Sequence, residues 1–239
     1  MLRFMRYIMH AIVIGGTSGF GKNISDALKR AGYEVTTTGR AGGDFTSDVG
    51  DKWQWEDTIK TISEEREPAA VVVLVAGFAR IKKNGHDDRA WEEHEQKNVG
   101  YVRQALEHLK LSDDARVITI GSQWSWRRGM QELAPYIESK HALRELTEEY
   151  AKEHPKYSVG HLCPPAMRTE QRKETLKSGY LPPNNDIADP AVIAESMVNQ
   201  MLTEKFHGET VQYNIRGEAE TIGKERIETE PRYEKHSKI

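Results

Sequence analysis

The run His10-Ala11-Ile12-Val13-Ile14, followed at once by Gly15-Gly16-Thr17-Ser18-Gly19-Phe20-Gly21, decides how the rest of the chain is read. A short apolar run that ends in glycines reads as a strand stopping in a tight turn. Ile24, Ala27, Leu28 and Ala31 then recur at helical spacing until Gly32 stops them. The unit is therefore strand, glycine turn, helix. Glycine permits the tight turn and lets backbone N–H groups approach a pyrophosphate, whose charge a helix N-terminus favours. A glycine cluster alone is a weak signal; its place between strand and helix is what points to a bound nucleotide.

Outward from this unit the pattern repeats. Tyr33–Thr38 is β-branched and reads as a second strand, and Trp53–Ser63 is helical with Trp55, Ile59 and Ile62 on one side. Ala70–Val75 is apolar throughout, as expected of a central parallel strand covered on both faces. Trp91, Asn98, Val102, Ala105 and Leu109 line one side of a single long helix. Arg116–Ile120 is a strand, Tyr136–Glu153 a helix, Val159–Cys163 a strand, Pro190–Leu202 a helix and Thr210–Ile215 a strand. This alternation predicts an α/β fold: a Rossmann-type doubly wound parallel sheet of about seven strands, with helices on both faces. No repeat or linker divides the chain, so one domain is expected over residues 10–217, between an extension at 1–9 and a charged tail at 218–239.

With 239 residues the chain can bury enough surface to fold without disulfides or a structural metal. The 34 basic and 37 acidic residues nearly balance, which gives no electrostatic reason to expect nucleic acid or an anionic membrane as partner. Cys163 is the one cysteine, so no intramolecular disulfide can form, and a reducing, cytoplasmic setting is expected. No stretch approaches the roughly 20 apolar residues of a membrane span. The apolar runs of Met1–His10 are too short for a signal peptide. The histidines show no metal-ligand spacing, and His86, His94 and His141 read as surface residues, so no metal is expected.

A second constellation lies in the other half of the chain. Tyr136 and Lys140 stand four residues apart at a helix start, on one face and within reach of each other. A free tyrosine is a poor acid–base catalyst at neutral pH, and a nearby ammonium favours its phenolate. Ser122 ends the preceding strand in Ile118-Thr119-Ile120-Gly121-Ser122, with Ser125 as an alternative beyond the strand end. Asn98 falls on the otherwise apolar side of its helix, where an unpaired amide would be costly.

The glycine spacing together with Asn98, Ser122, Tyr136 and Lys140, in that order, resembles the short-chain dehydrogenase/reductase family. The resemblance implies an NADP(H)-dependent oxidoreductase that moves hydride between nicotinamide and a small carbonyl or alcohol substrate. Tyr136 then acts as general acid or base, Ser122 steadies the substrate oxygen, Lys140 holds the nicotinamide ribose and lowers the tyrosine pKa, and Asn98 holds a relay water. Gly15, Thr17, Ser18, Gly19, Phe20 and Gly21 correspond to the pyrophosphate turn. Ala76 and Gly77 correspond to the small pair that lets the cofactor approach, and Pro164, Met167 and Thr169 to the nicotinamide side. Asp48 and Val49 match the pair beside the adenine, with Asp44 as competitor. Relatives that prefer NAD(H) place a carboxylate at the end of the second strand; here Gly39 is followed by Arg40, which can pair with the 2′-phosphate, so NADP(H) is expected over NAD(H).

Departures from the family pattern are Ile14 before the first glycine, Leu74-Val75 where two asparagines are usual, Gly100 one position early after Asn98, and Pro165 for glycine. Ser122 also stands one residue further from Tyr136 than is usual. Trp124 and Trp126 are expected to flank the substrate pocket, and the polar segment 170–189 corresponds to a substrate lid. The resemblance also implies a homo-oligomer, dimer or tetramer. Two other readings share parts of the pattern: a binding module that senses NADP(H) without chemistry, and a sugar-nucleotide epimerase or dehydratase with the same Tyr/Lys pair.

Overall fold

The computed structural model describes residues 9–80, 87–123, 131–169 and 187–222. Strand β1 (His10–Ile14) is buried at every position, and its side chains divide by parity. Ala11 and Val13 join one core with Ile24 and Leu28 of helix α1 (Gly19–Arg30) and with Ile193 and Met197 of α6 (Pro190–Thr203). Ile12 and Ile14 join the other with Trp55, Ile59 and Ile62 of α2 (Lys52–Glu65). Tyr101 and Val102 of α4 (Tyr101–His108) and Leu143 of α5 (Ala134–Glu153) complete that second layer. Two cores on opposite faces of one strand explain why β1 and β4 (Ala69–Leu74) are apolar without alternation.

The remaining strands are β2 (Glu34–Gly39), β3 (Phe45–Thr46), β5 (Leu111–Ile120), β6 (Ser158–Cys163), β7 (His207–Tyr213) and β8 (Ala219–Ile222). The sheet order is β3-β2-β1-β4-β5-β6-β7-β8, parallel except for the antiparallel β7–β8 pair. This is the expected doubly wound sheet, with eight strands among the described residues where about seven were expected. β3 is only two residues long, and β8 takes the first part of the stretch read as a solvated tail. The tail reading needs that correction because only Ile222 of β8 turns inward, so its charged neighbours hide the pattern. Asn214 Oδ1 accepts from the Arg216 and Glu218 N–H groups, and Gly217 takes φ +83°, which folds β8 back along β7.

The single long helix expected through Asn98 is also corrected. It runs as α3 (Asp88–Glu95), one π-helical turn at Gln96–Gly100, and then α4. His94 and His141, expected on the surface, are buried at 0% and 5% exposure; the His94 ring accepts from the Arg80 N–H and contacts the Phe78 ring. His86, the extension at 1–8, Trp124, Ser125 and Trp126, the lid residues 170–186 and the tail at 223–239 lie outside the described residues. Among those described, no helix is long and apolar enough to cross a membrane, and no three acidic, histidine or cysteine side chains group as metal ligands.

The strand order reverses between β1 and β4, which opens a crevice above their C-terminal ends. Val75 N and Ala76 N both donate to the Ile14 carbonyl, at 3.0 and 2.9 Å, and so hold the two strand ends together at its floor.

Candidate active site

The glycine turn leaves β1 at this crevice. Gly15 takes φ +86°, and a Cβ there would stand 2.8 Å from the Ala76 N atom, so the turn and the segment after β4 close on each other only because Gly15 has no side chain. A Cβ on Gly21 would collide with the Gly15 carbonyl, so α1 begins hard against the turn. Gly19 differs: at φ +53° it has no atom within 4 Å of the place its Cβ would take, and it opens onto the crevice. Thr17 packs against Gly39 and Gly43, and Phe20 is buried in the core, which leaves its backbone alone at the turn.

Helices α2, α3 and α6 start on capping aspartates, Asp51, Asp87 and Asp189. α1 does not. The exposed Ser18 at its N-cap makes no side-chain cap, and no acidic residue occupies the first turn, so unpaired N–H groups and the positive end of the helix dipole face the open side. A small, positively polarised cradle of this kind fits a pyrophosphate.

At the end of β2, Arg40 is exposed beside Gly39. The Asp44 carboxylate turns back to accept from Thr37 N at 2.7 Å and Thr37 Oγ1 at 2.9 Å. Burial acts to raise its pKa, but these bonds and the Arg66 charge outweigh it and hold the carboxyl below its ordinary range. Asp44 is thus occupied by the β2 loop. Asp48 Oδ1 accepts from Gly50 N at 2.8 Å, and the Val49 carbonyl accepts from Gln96 Nε2 at 3.1 Å, which sets this pair between β3 and α2.

The second half of the site hangs on α5. A 3-10 turn at Gln131–Leu133 and Pro135 in the first helical turn lead the chain into it. The Tyr136 and Ser122 hydroxyls are hydrogen-bonded, and Lys140 Nζ lies 5.9 Å from the centre of the Tyr136 ring while donating to the Ile120 carbonyl at 2.9 Å. A Cβ on Gly77 would stand 3.5 Å from Asn98 Oδ1 and 3.7 Å from Lys140 Nζ, so Asn98 and Lys140 meet beside Gly77, and Lys140 in turn neighbours the Tyr136–Ser122 pair. The asparagine amide is fully employed. Its oxygen accepts from Phe78 N at 2.8 Å, and its nitrogen donates to the Phe78 carbonyl and to Ser139 Oγ, each at 2.9 Å.

Electrostatics depart from expectation. Burial pushes the Tyr136 pKa up to about 12, against a lowering from the Ser122 hydrogen bond, and burial pushes Lys140 down to about 8. The ammonium was expected to pull the tyrosine down. Here it points at a backbone carbonyl and has itself been taken out of water, so desolvation outweighs its field at the phenol.

Pro164 and Pro165 are buried after β6, and Met167, ahead of the segment 170–189 expected to be a lid, forms a parallel bridge with Ala188 near that segment's end. Thr169 N donates back to the Met167 carbonyl at 3.0 Å. Sequence reading missed two contributors. Ser139 joins Asn98 to the Tyr136 carbonyl, which it meets at 2.8 Å, and only its place between Tyr136 and Lys140 signalled it. Thr38, whose hydroxyl accepts from Gly15 N at 3.3 Å, was hidden by its β-branched strand character.

Comparison with known proteins identifies the family and the fold. The profile of the family described as short chain dehydrogenase matches residues 44–178, a span that holds Asn98, Ser122, Tyr136 and Lys140 and starts after the glycine turn. An acetoacetyl-CoA reductase of Paracoccus denitrificans is 28% identical over 215 residues, covering 79% of this chain and 88% of the relative. Ligand-free aldohexose dehydrogenase of Thermoplasma acidophilum superposes with TM-score 0.74 at 19% identity, over 88% of this chain and 94% of that one. A short chain dehydrogenase of Burkholderia cenocepacia in complex with NADP gives 0.75 at 17%, over 87% and 97%. At such identities the two structures speak to the fold alone.

Proposed function

Because the chain belongs to the short-chain dehydrogenase/reductase family and is an oxidoreductase of that kind, we propose that it reduces a small-molecule carbonyl with NADPH, and that Tyr136 supplies the proton. The observation that carries this reading is the chain of neighbours from Asn98 and Lys140 beside Gly77 to the hydrogen-bonded Tyr136 and Ser122.

NADPH, when bound, supplies the hydride. The turn from Gly15 to Gly21 would hold its pyrophosphate, Arg40 its 2′-phosphate, Asp48 and Val49 its adenine side, and Ala76, Gly77, Pro164, Met167 and Thr169 its nicotinamide half. Arg40 pairs with no carboxylate among the described residues, and Asp44 is bound to Thr37. Ser122 donates to the carbonyl oxygen and stabilises the charge that develops there. Tyr136 gives that oxygen its phenolic proton. A pKa near 12 keeps this proton in place at neutral pH, which suits the reductive direction. Lys140, still cationic below about 8, steadies the phenolate left behind. Asn98 fixes the Phe78 segment and, through Ser139, the start of α5.

The test is turnover of NADPH with a panel of carbonyl compounds. Acetoacetyl-CoA, the substrate named for the Paracoccus relative, belongs in it. Tyr136→Phe is expected to lower kcat by at least about a hundredfold, and unchanged turnover would end the mechanism. Arg40→Ala should weaken NADPH more than NADH, whereas equal weakening removes Arg40 from the 2′-phosphate. A homo-oligomer, dimer or tetramer, is part of the same proposal and is read by light scattering after gel filtration.

A further inference from the structure

Four buried polar side-chain atoms lack a hydrogen-bond partner among the described residues on the face where α5 covers β6 and β7: Arg144 Nε, His161 Nε2, Thr210 Oγ1 and Gln212 Oε1. Buried polar groups are nearly always paired, so an orphan calls for an account. His161 is the one that bears on the active site.

Its hydrogens can be counted. Thr147 Oγ1 donates to the Leu143 carbonyl at 2.7 Å, and that carbonyl can only accept. The Thr119 hydroxyl, 2.8 Å from Thr147 Oγ1, must then be the donor between them. Thr119 has only lone pairs left for His161 Nδ1, 2.8 Å away, so Nδ1 carries the ring hydrogen. Nε2 remains a bare lone pair on a ring at 0% exposure. The ring is neutral, since burial, followed by the charges of Lys140, Arg144 and His141, pushes its pKa down to about 3.

Cys163 follows two residues later on the same face of β6, also at 0% exposure. A Cβ on Gly121 would collide with both His161 Nε2 and Cys163 Sγ, so the two atoms share the room that this glycine leaves. The sulfur accepts from the Ser122 backbone N–H and still has its own hydrogen to give. Thr210, the register partner of His161 on β7, and the unpaired Arg144 Nε are the rival donors. The space left by Gly121 favours the thiol.

We infer that His161 and Cys163 are positioning residues for Ser122: the Cys163 thiol, which shares the Gly121 space with His161 Nε2 but does not meet it in hydrogen-bond geometry in this structure, turns its hydrogen onto that lone pair while the sulfur accepts from the Ser122 N–H. Through Thr119 and Thr147 this relay ties the serine to β5 and α5, the elements that also carry Lys140's carbonyl partner and Tyr136. Its catalytic consequence rests on the proposed role of Ser122, because small displacements of a group on the reacting oxygen are costly.

Cys163 is the only cysteine, so the infrared S–H stretch of the full-length protein is a single reporter. The band is expected below the frequency of an unbonded thiol. It should move to that frequency in His161→Leu, and stay low in Thr210→Val and in His161→Gln, whose carboxamide can reach the same place. In turnover, His161→Leu and Cys163→Ala should each lower kcat about tenfold with KM little changed. The double variant should be no worse than either single one, as for one shared link. Cys163→Ser, whose hydroxyl can both donate and accept, should recover most of the loss. A wild-type band at the unbonded frequency, a band insensitive to His161→Leu, or additive losses would overturn the inference. Full turnover in Tyr136→Phe would instead remove the catalytic reading of Ser122 and leave the thiol–imidazole link to the infrared result.

Discussion

At the scale of single residues, the site is built from groups that burial has moved away from their ordinary chemistry, and Lys140 shows the cost. At 4% exposure, with the Ile120 carbonyl accepting from its ammonium, its pKa falls from 10.5 to about 8. The unfolded chain therefore holds more protons than the folded one between these values. Stability tied to this group is complete above 10.5 and is lost as pH falls through that window to about 8. Lys140→Met should abolish that slope and raise stability at pH 7 by as much as about 3 kcal/mol, while turnover collapses. Urea unfolding of both proteins at neutral and alkaline pH decides it, and parallel pH slopes would refute the assignment. The same value sets an activity limb. Reductase turnover is expected to fall as pH rises through about 8, where Lys140 loses its charge while Tyr136, near 12, still holds its proton.

At the scale of elements, the π turn at Gln96–Gly100 brings Asn98 to bear on the segment after β4. Such turns insert one residue into an α-helix and recur at functional sites. The asparagine amide then pairs with both the N–H and the carbonyl of Phe78, twenty residues away. Asn98→Ala would leave those groups and Ser139 Oγ short of partners, at an expected cost of about 2–4 kcal/mol in denaturant unfolding. A change under about 0.5 kcal/mol would mean that water replaces the amide. The sequence carried the residue and concealed the turn. Trp91, Asn98, Val102, Ala105 and Leu109 keep an apparent helical period, because one inserted residue in the middle shifts the phase too little to register over so few turns. Strands β1, β4 and β6 were legible from apolar runs bounded by turn residues. β8 was not, since one inward residue makes no pattern. The order of Asn98, Ser122, Tyr136 and Lys140 was equally legible, whereas the Thr119–His161–Cys163 relay depends on register between strands, which no local pattern states.

At the scale of the whole molecule, the crevice exists because the sheet winds in two directions from β1 and β4, and the expected site residues among those described follow the C-terminal ends of their strands, apart from Asn98, Tyr136 and Lys140, which the helical segments carry. Such a sheet has two edges to manage. One ends in the two-residue β3. The other would be β7, a seven-residue strand with Val211 and Tyr213 in the core, if β8 did not lie antiparallel along it from Thr210 to Tyr213. An uncovered strand of that length offers a row of free N–H and carbonyl groups to another chain. The carbonyl of Tyr213 also accepts from Nε2 of Gln123, the residue after Ser122, so the β7 edge is joined to the loop of the candidate site. Ending the chain at Gly217 should therefore lower the thermal midpoint by several degrees and produce association that grows with protein concentration. Calorimetry and light scattering of the truncated and full chains read the two effects. If both chains melt together and scatter alike, β8 does not protect the edge, and Asn214 and Gly217 form an ordinary surface turn.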